Sequence, residues 1–406
     1  MKVSVRGHLL DLLAFSRLGG KRRRRIAKAS PKPVPVHGVN QLAQQLHPTR
    51  LHLVIASIRD ETQTTKTFRL VPDGEFGTQI FPYFRAGQYL SLKVEVDGVR
   101  ITRPYSISSA PFEALGEDGF YEITVRRVPD GFLTTHIWDH WRVGTKIESS
   151  APVGFFYFEP LRDAKKIVGL AGGSGITPFR SLAREIVWGG LDAELLLLYG
   201  SSDEQDIIFY KEFKELEEKA AGKVRVVHVL SCDTVSLAGC EQGFITADVV
   251  QKYVDIPNSS FFVCGPQAMY PFVAAELAKL HLPRRRERRE SYVEIRDIAS
   301  HPAFPAAAVN KTFYIKVHIN GMCTEIPARG VESILVAMER ANLAPPSQCR
   351  SGECGFCRSL LLSGEVFVVP ESDGRHAADK RLGYIHPCSS YPLSHLEIKV
   401  PSGAGL

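Results

Sequence analysis

The sequence predicts three folded domains in series: an antiparallel β-barrel, a doubly wound α/β domain and a small α+β domain. Three observations carry this. The chain has 406 residues, more than the roughly 250 at which one hydrophobic core stops growing. Its apolar period then changes along the chain. From Leu51 to Pro160 short apolar alternations are separated by Gly, Asp and Pro turns, and from Lys165 buried strands alternate with helical stretches. Finally, an Arg-, Pro- and Ala-rich segment ends at Thr312, where a new strand, turn and helix begin.

Composition bounds the class. Hydrophobic residues make up 44% and charged residues 23%, an ordinary soluble balance. No apolar run approaches the roughly 20 residues that span a bilayer. The net charge of +6 is concentrated in Lys21–Arg25 and Arg284–Arg289, so a nucleic-acid surface over the whole protein is not implied. The eight cysteines read as reduced thiols in a cytoplasmic protein, because a chain this long needs no disulfides. The apolar stretch Leu9–Leu18 is interrupted by Asp11 and precedes its positive charges, the reverse of a secretory signal.

Each element follows in order. Residues 1–46 form a basic N-terminal extension. Val5, Leu9, Leu12, Leu13 and Phe15 could share one short amphipathic face, which the segment 29–35 breaks with its prolines. A solvated, partly disordered tail is expected there, with weak membrane-surface or partner contact as the alternative. Residues 47–160 form the barrel, with strands at Leu51–Ile55, Tyr89–Val96 and Tyr121–Val125 and a hairpin at Asp97-Gly98. Residues 161–282 form the doubly wound domain, with strands at Lys166–Gly172, Glu194–Gly200, Val224–Leu230 and Phe261–Gly265. Its helices are expected at Pro178–Val187, Asp206–Ala220 and up to Leu280. Residues 283–311 read as a linker. Residues 312–402 form the last domain, with a hairpin at Asn320-Gly321 and a helix at Val331–Ala341.

The most specific signal is Cys349-x4-Cys354-x2-Cys357, with Cys388 thirty-one positions further on. This is the plant-type ferredoxin spacing for four thiolates on a [2Fe–2S] cluster. Small residues in the loop let backbone N–H groups approach the cluster sulfurs. Structural zinc is the alternative, but zinc sites usually show two Cys-x2-Cys pairs. The pair His136/His140 reads as a surface pair, since no third ligand is nearby.

Other motifs are weak singly. Arg103-Pro104-Tyr105-Ser106 could be a turn with an exposed arginine. Gly131-x2-Thr134-Thr135 before a helical pattern suits a phosphate at a helix N-terminus. The turn Gly172-Gly173-Ser174-Gly175-Ile176-Thr177 lies at the carboxyl end of the first parallel strand, where doubly wound sheets bind ligands. Cys264-Gly265-Pro266-x2-Met269 ends a later strand. Cys264 could be misread as a nucleophile and reads first as a small buried residue next to a glycine turn.

Taken in this order, the motifs of residues 48–400 resemble the ferredoxin–NADP reductase superfamily. The subclass is the one with a C-terminal plant-type ferredoxin domain of β-grasp fold. The resemblance implies that Arg103 binds flavin phosphate, Tyr105 packs on the flavin ring and Ser106 lies near N5, with Pro104 in the same motif. It implies flavin-phosphate contacts at Gly131, Thr134 and Thr135. It implies nicotinamide-nucleotide contacts at Gly172, Gly173, Gly175, Ile176 and Thr177. It also places Cys264, Gly265, Pro266 and Met269 beside the nicotinamide, so Ser106, Tyr105 and Cys264 become the candidate catalytic residues.

These parts belong together chemically. A nicotinamide gives up two electrons as hydride, a [2Fe–2S] cluster accepts one, and a flavin handles both. The expected activity is an NAD(P)H:acceptor oxidoreductase that serves a partner protein, an oxygenase or another reductase component. A stand-alone oxidoreductase acting on a small molecule or free flavin would have no use for the cluster. A redox-sensing nucleic-acid binder would need a clustered basic face. FAD is expected, with FMN the alternative, since both occur in the subclass. NADH is expected over NADPH, because Asp203 and Glu204 follow the second strand of the nucleotide domain and would repel a 2′-phosphate.

Overall fold

The computed structural model describes residues 9–29, 37–129, 131–232, 237–290, 295, 297–370 and 373–401. The chain divides into two compact units, Met1–Gln45 and Leu46–Leu406. In the first, α1 (Leu9–Ala27) runs through Gly19-Gly20 and the whole basic run. A short amphipathic face in a partly disordered tail was the expectation. The helix is longer because Lys and Arg are good helix formers and cations favour a helix C-terminus. Phe15, Leu18 and Ile26 on it are exposed. Helix α2 (Gly38–Leu46) follows. Val5 and the prolines of the break at 29–35 lie outside the described residues.

The second unit opens with a six-stranded antiparallel sheet: β1 (Leu51–Thr62), β2 (Thr65–Pro72), β3 (Tyr89–Val96), β4 (Val99–Ser106), β5 (Tyr121–Arg126) and β6 (Lys146–Ser149), in the order β4-β3-β6-β1-β2-β5. A bridge between Ile107, just beyond β4, and Ile123 of β5 joins the two ends into a barrel. Leu53, Phe68, Leu92 and Ile123 fill its core. Asp97 and Gly98 both adopt positive φ, 51° and 77°, as a two-residue hairpin of this twist requires. Helix α3 (Phe132–His140) covers one end.

Next comes a parallel sheet of β7 (Lys166–Gly172), β8 (Glu194–Ser201), β9 (Val224–Leu230), β10 (Glu241–Gln242), β11 (Ser259–Cys264) and β12 (Glu287–Glu290), in the order β10-β9-β8-β7-β11-β12. Helices α4 (Thr177–Trp188) and α5 (Tyr210–Lys219) cover one face, and α6 (Ala247–Tyr253) and α7 (Met269–Ala278) the other. Burial on both faces explains the unbroken apolar runs at residues 167–172 of β7 and 261–264 of β11. The strand order reverses at β7/β11, which makes their carboxyl ends the ligand crevice of such a sheet.

The presumed linker from 283 to 311 is a correction. Its first part forms β12, parallel to β11 with Glu290 opposite Cys264. Charge hid this strand: Arg288 pairs with the buried Asp163 at 2.8 Å, and Arg289 pairs with Glu287. Its last part packs on the C-terminal domain, where Ile298, Phe304 and Ala308 share a core with Phe313, Val369 and Tyr391. Residues 291–294 and 296 lie outside the described residues.

The C-terminal domain is a mixed five-stranded sheet, β14-β13-β19-β15-β17, with a separate β16-β18 pair. Its strands are β13 (Thr312–Ile319), β14 (Met322–Arg329), β15 (Ser359–Ser363), β16 (Val366–Val368), β17 (Tyr384–Ile385), β18 (Ser390–Pro392) and β19 (Leu396–Lys399). Asn320 and Gly321 turn the first hairpin at φ 52° and 80°. Helix α8 (Ile334–Arg340), capped by the Ser333 hydroxyl, packs Ile334, Ala337 and Met338 on the sheet. A short helix α9 (Ala377–Leu382) precedes β17.

Candidate functional site

Three groups of residues build the site. The first is the end of β4. Tyr89 of β3 lies opposite Ser106, and Gly154, at φ +110°, sits so close to the Tyr89 ring that a Cβ there would fall 2.8 Å from it. Tyr105 packs on the barrel core, and burial pushes its phenol up against the opposing pull of Arg103. Pro104 is buried in the strand. Arg103 Nη1 donates to the carbonyl of Thr102 and lies 3.8 Å from Glu339 of α8. Gly131 precedes α3, and Thr134 Oγ1 accepts from the N–H of Val128 while the N–H of Thr135 donates to the Gly131 carbonyl. The hydroxyl of Thr134 therefore steadies its own loop, and the N–H groups of the first helical turn are the donors a phosphate would use.

The second group lines the β7/β11 crevice. Gly172 lies against Met269 and Pro266, where a Cβ would fall 2.6 Å and 2.9 Å from their side-chain atoms. Gly173 has φ +50° and faces Arg126, which makes a two-oxygen ion pair with Asp206 at 2.6 and 2.7 Å. Gly175 abuts the backbone of Cys264 and Gly265. Ile176 is buried, and Thr177 Oγ1 donates to the Ser174 carbonyl at 3.1 Å. The two sequence-distant motifs thus form one cradle that side chains would fill, which suits close backbone approach to a dinucleotide. Cys264 is buried, and both burial and Glu290 push its thiol up. It is a neutral packing group there, without the thiolate a nucleophile needs.

Sequence reasoning missed Glu290, which the structure brings to the centre. Its carboxylate accepts a 3.5 Å hydrogen bond from Ser106 Oγ, and its carbonyl accepts from the Tyr270 hydroxyl. Ser106, Cys264 and Glu290 therefore converge from three strands. The available signal was topological: after α7, a doubly wound sheet is due a sixth strand.

The third group is the cysteine loop. Cys349, Cys357 and Cys388 are buried and Cys354 is exposed. Cys349 Sγ accepts from the N–H groups of Ser351 and Cys354 at 3.5 and 3.4 Å, and Cys354 Sγ accepts from Phe356 at 3.4 Å. Cys357 and Cys388 Sγ lie 3.4 Å apart, and Cys349 is in hydrogen-bond contact with Cys354 and Cys388. Contacts with Cys354 and Cys388 pull the Cys349 thiol well down. Among the described residues no group of three or more His, Cys, Asp or Glu is arranged around a single ion. A two-iron cluster asks only two cysteines of each iron, and amides aimed at sulfur are the donors it needs. The residues fit that group. His136 and His140 stack at 4.4 Å on α3, a surface pair.

Comparison with known proteins agrees with this layout. Residues 54–158 match an oxidoreductase FAD-binding domain, 170–275 an oxidoreductase NAD-binding domain and 317–393 a 2Fe-2S iron–sulfur cluster binding domain. The ferredoxin reductase component of 3-ketosteroid-9-alpha-monooxygenase from Mycobacterium tuberculosis is 31% identical over 359 residues, covering 85% of this chain and 94% of that protein. The glycine betaine monooxygenase reductase subunit of Chromohalobacter salexigens is 25% identical, covering 84% and 92%. Among solved structures, phthalate dioxygenase reductase is 28% identical with a TM-score of 0.60, covering 86% of this chain and 97% of that one. The chain belongs to the family of oxidoreductases in which an FAD-binding and an NAD-binding domain precede a C-terminal 2Fe-2S domain, the family of these ferredoxin reductase components.

Proposed function

We propose that this chain is the reductase component of an oxygenase system, taking hydride from NADH and delivering single electrons to a partner oxygenase in the cytoplasm. The observation that carries this reading is the position of β4. Its last residue, Ser106, is hydrogen-bonded to Glu290 of the nucleotide sheet, and its Thr102 and Arg103 are held by Glu339 of the C-terminal domain. One strand thus meets both neighbours, as a two-sided relay requires. The bound flavin supplies the conversion between two-electron and one-electron chemistry.

The chain's own residues position the reactants. Arg103, Gly131, Thr134, Thr135 and the N-terminus of α3 would hold the flavin phosphates, and Tyr105 would cover the ring. Gly172, Gly173, Gly175, Ile176 and Thr177 would seat the dinucleotide, with Cys264, Gly265, Pro266 and Met269 bordering the nicotinamide and excluding water. Ser106, backed by Glu290, would hold a proton near the reacting face. Cys349, Cys354, Cys357 and Cys388 would hold the cluster. The printed names of the relatives, reductase components of monooxygenases, support the choice of partner. Among the described residues no helix is long and apolar enough to cross a membrane.

The test is Cys357→Ser. It should still reduce ferricyanide, which takes electrons from flavin, but lose most cytochrome c reduction. Reduced wild type should show the rhombic paramagnetic signal of one [2Fe–2S]⁺ cluster. Full cytochrome c reduction by Cys357→Ser would refute the reading.

A further inference from the structure

Glu339 is nearly fully buried at 4% exposure. A buried carboxylate is costly unless paired and hydrogen-bonded, and the partners of Glu339 come from two domains. Arg350 Nη1, from the cluster loop of its own domain, donates to Oε1 at 2.6 Å. From the barrel, the N–H of Thr102 donates to the same oxygen at 3.4 Å, and Arg103 Nη1 lies 3.8 Å from Oε2.

Each contact touches redox machinery. Arg350 directly follows the cluster cysteine Cys349, is 2% exposed, and holds φ +59°. A non-glycine residue in that region is strained and persists only where its surroundings enforce it. Thr102 and Arg103 open the run that ends in Tyr105-Ser106. Strand β4 ends the barrel sheet and pairs with β3, so the Thr102 N–H is an edge donor that the C-terminal domain covers. Helix α8 completes the link. Leu335, four residues before Glu339 and on the same face, packs on Cys357 and Cys388. One turn of helix therefore reaches from the cluster cysteines to the flavin strand.

We propose that Glu339 is a positioning residue: it seats the cluster loop on β4 and thereby sets the rate of flavin-to-cluster electron transfer. A carboxylate serving only the C-terminal fold would need Arg350 but neither Thr102 nor Arg103. The proposal rests on the route through flavin and cluster given above.

The experiment is stopped-flow reduction of the holoenzyme by NADH, separating flavin reduction from flavin-to-cluster transfer. Glu339→Ala and Glu339→Gln are compared with wild type, with iron and flavin content measured for each. Glu339→Ala should leave flavin reduction within about twofold. It should slow the transfer phase several-fold, beyond that margin, because a cluster loop no longer seated on β4 lies further from the flavin strand. Glu339→Gln, which keeps one acceptor oxygen but no charge, should slow it less. Hydrogen exchange of the same holoenzymes should rise together at residues 99–104 and 348–352 in Glu339→Ala. Wild-type transfer in either variant with full iron overturns the proposal. Loss of iron from both also overturns it, by assigning Glu339 to the fold of the domain; if only Glu339→Ala loses iron, the transfer rate of Glu339→Gln decides. Failure here with Cys357→Ser still blocking cytochrome c would leave the electron route standing.

Discussion

Gly175→Ala tests the nucleotide crevice directly. A Cβ at this position would fall 2.7 Å from Gly265 Cα and closer still to the Cys264 carbonyl. Non-bonded carbons prefer about 3.5–4.0 Å, so the glycine turn and the Cys264 loop must separate by about 1 Å. Both neighbours are backbone, so no side-chain rotation relieves the clash. Overpacking of this kind costs about 1–3 kcal/mol, and a roughly 1 Å displacement can slow a positioned reaction by up to about a hundredfold. The expected result is a lower melting temperature, by roughly 2–4 °C per kcal/mol, with flavin reduction by NADH slowed at least about tenfold and cluster content unchanged. Gly189→Ala is the control. It caps α4 at φ +92° with open space around it, so it should cost about 1–2 kcal/mol of backbone strain and leave the rate alone. A Gly175→Ala enzyme with wild-type rate and KM would show that the turn does not border the nicotinamide nucleotide.

Three further outcomes follow from the structure. Arg180, 2% exposed on α4, binds Glu122 of β5 at 2.8 Å and Glu212 of α5 at 2.9 Å. Arg180→Met should cost about 3 kcal/mol in urea unfolding, the low end for a broken buried pair, because Arg69 still reaches Glu122 at 3.0 Å. Burial, aided by Lys214, pushes the His228 imidazole down to about 4. Its contribution to stability should thus be complete above its unfolded value of about 6.5 and fall as pH drops toward 4, by on the order of 3 kcal/mol. His228→Phe should flatten urea midpoints over that window, and an unchanged slope would exonerate His228. Asp203 is fixed at the end of β8 by accepting from the N–H groups of Gln205 and Asp206, so kcat/KM should favour NADH; a higher value for NADPH would reverse that assignment.

What the sequence by itself determined lies where local chemistry decides. The cysteine spacing needs only the reach of one loop and a fourth thiolate, and the Asp97-Gly98 and Asn320-Gly321 turns need only residues that tolerate positive φ. The central parallel strands β7, β8 and β11 announce themselves because burial on both faces demands apolar runs. Tertiary structure alone decided the rest. Strand β12 is read as linker in sequence, since its arginines look solvated until Asp163 is found beneath Arg288. Glu290 reaches Ser106 across 184 positions, and Glu339 meets Thr102 across 237. Arg103, expected to face a phosphate, is also held by an acid from another domain. A carboxylate has the same solvated signature in sequence whether it ends at water or bridges two domains. Only the packing that excludes water gives its charge a defined partner, and with it a role.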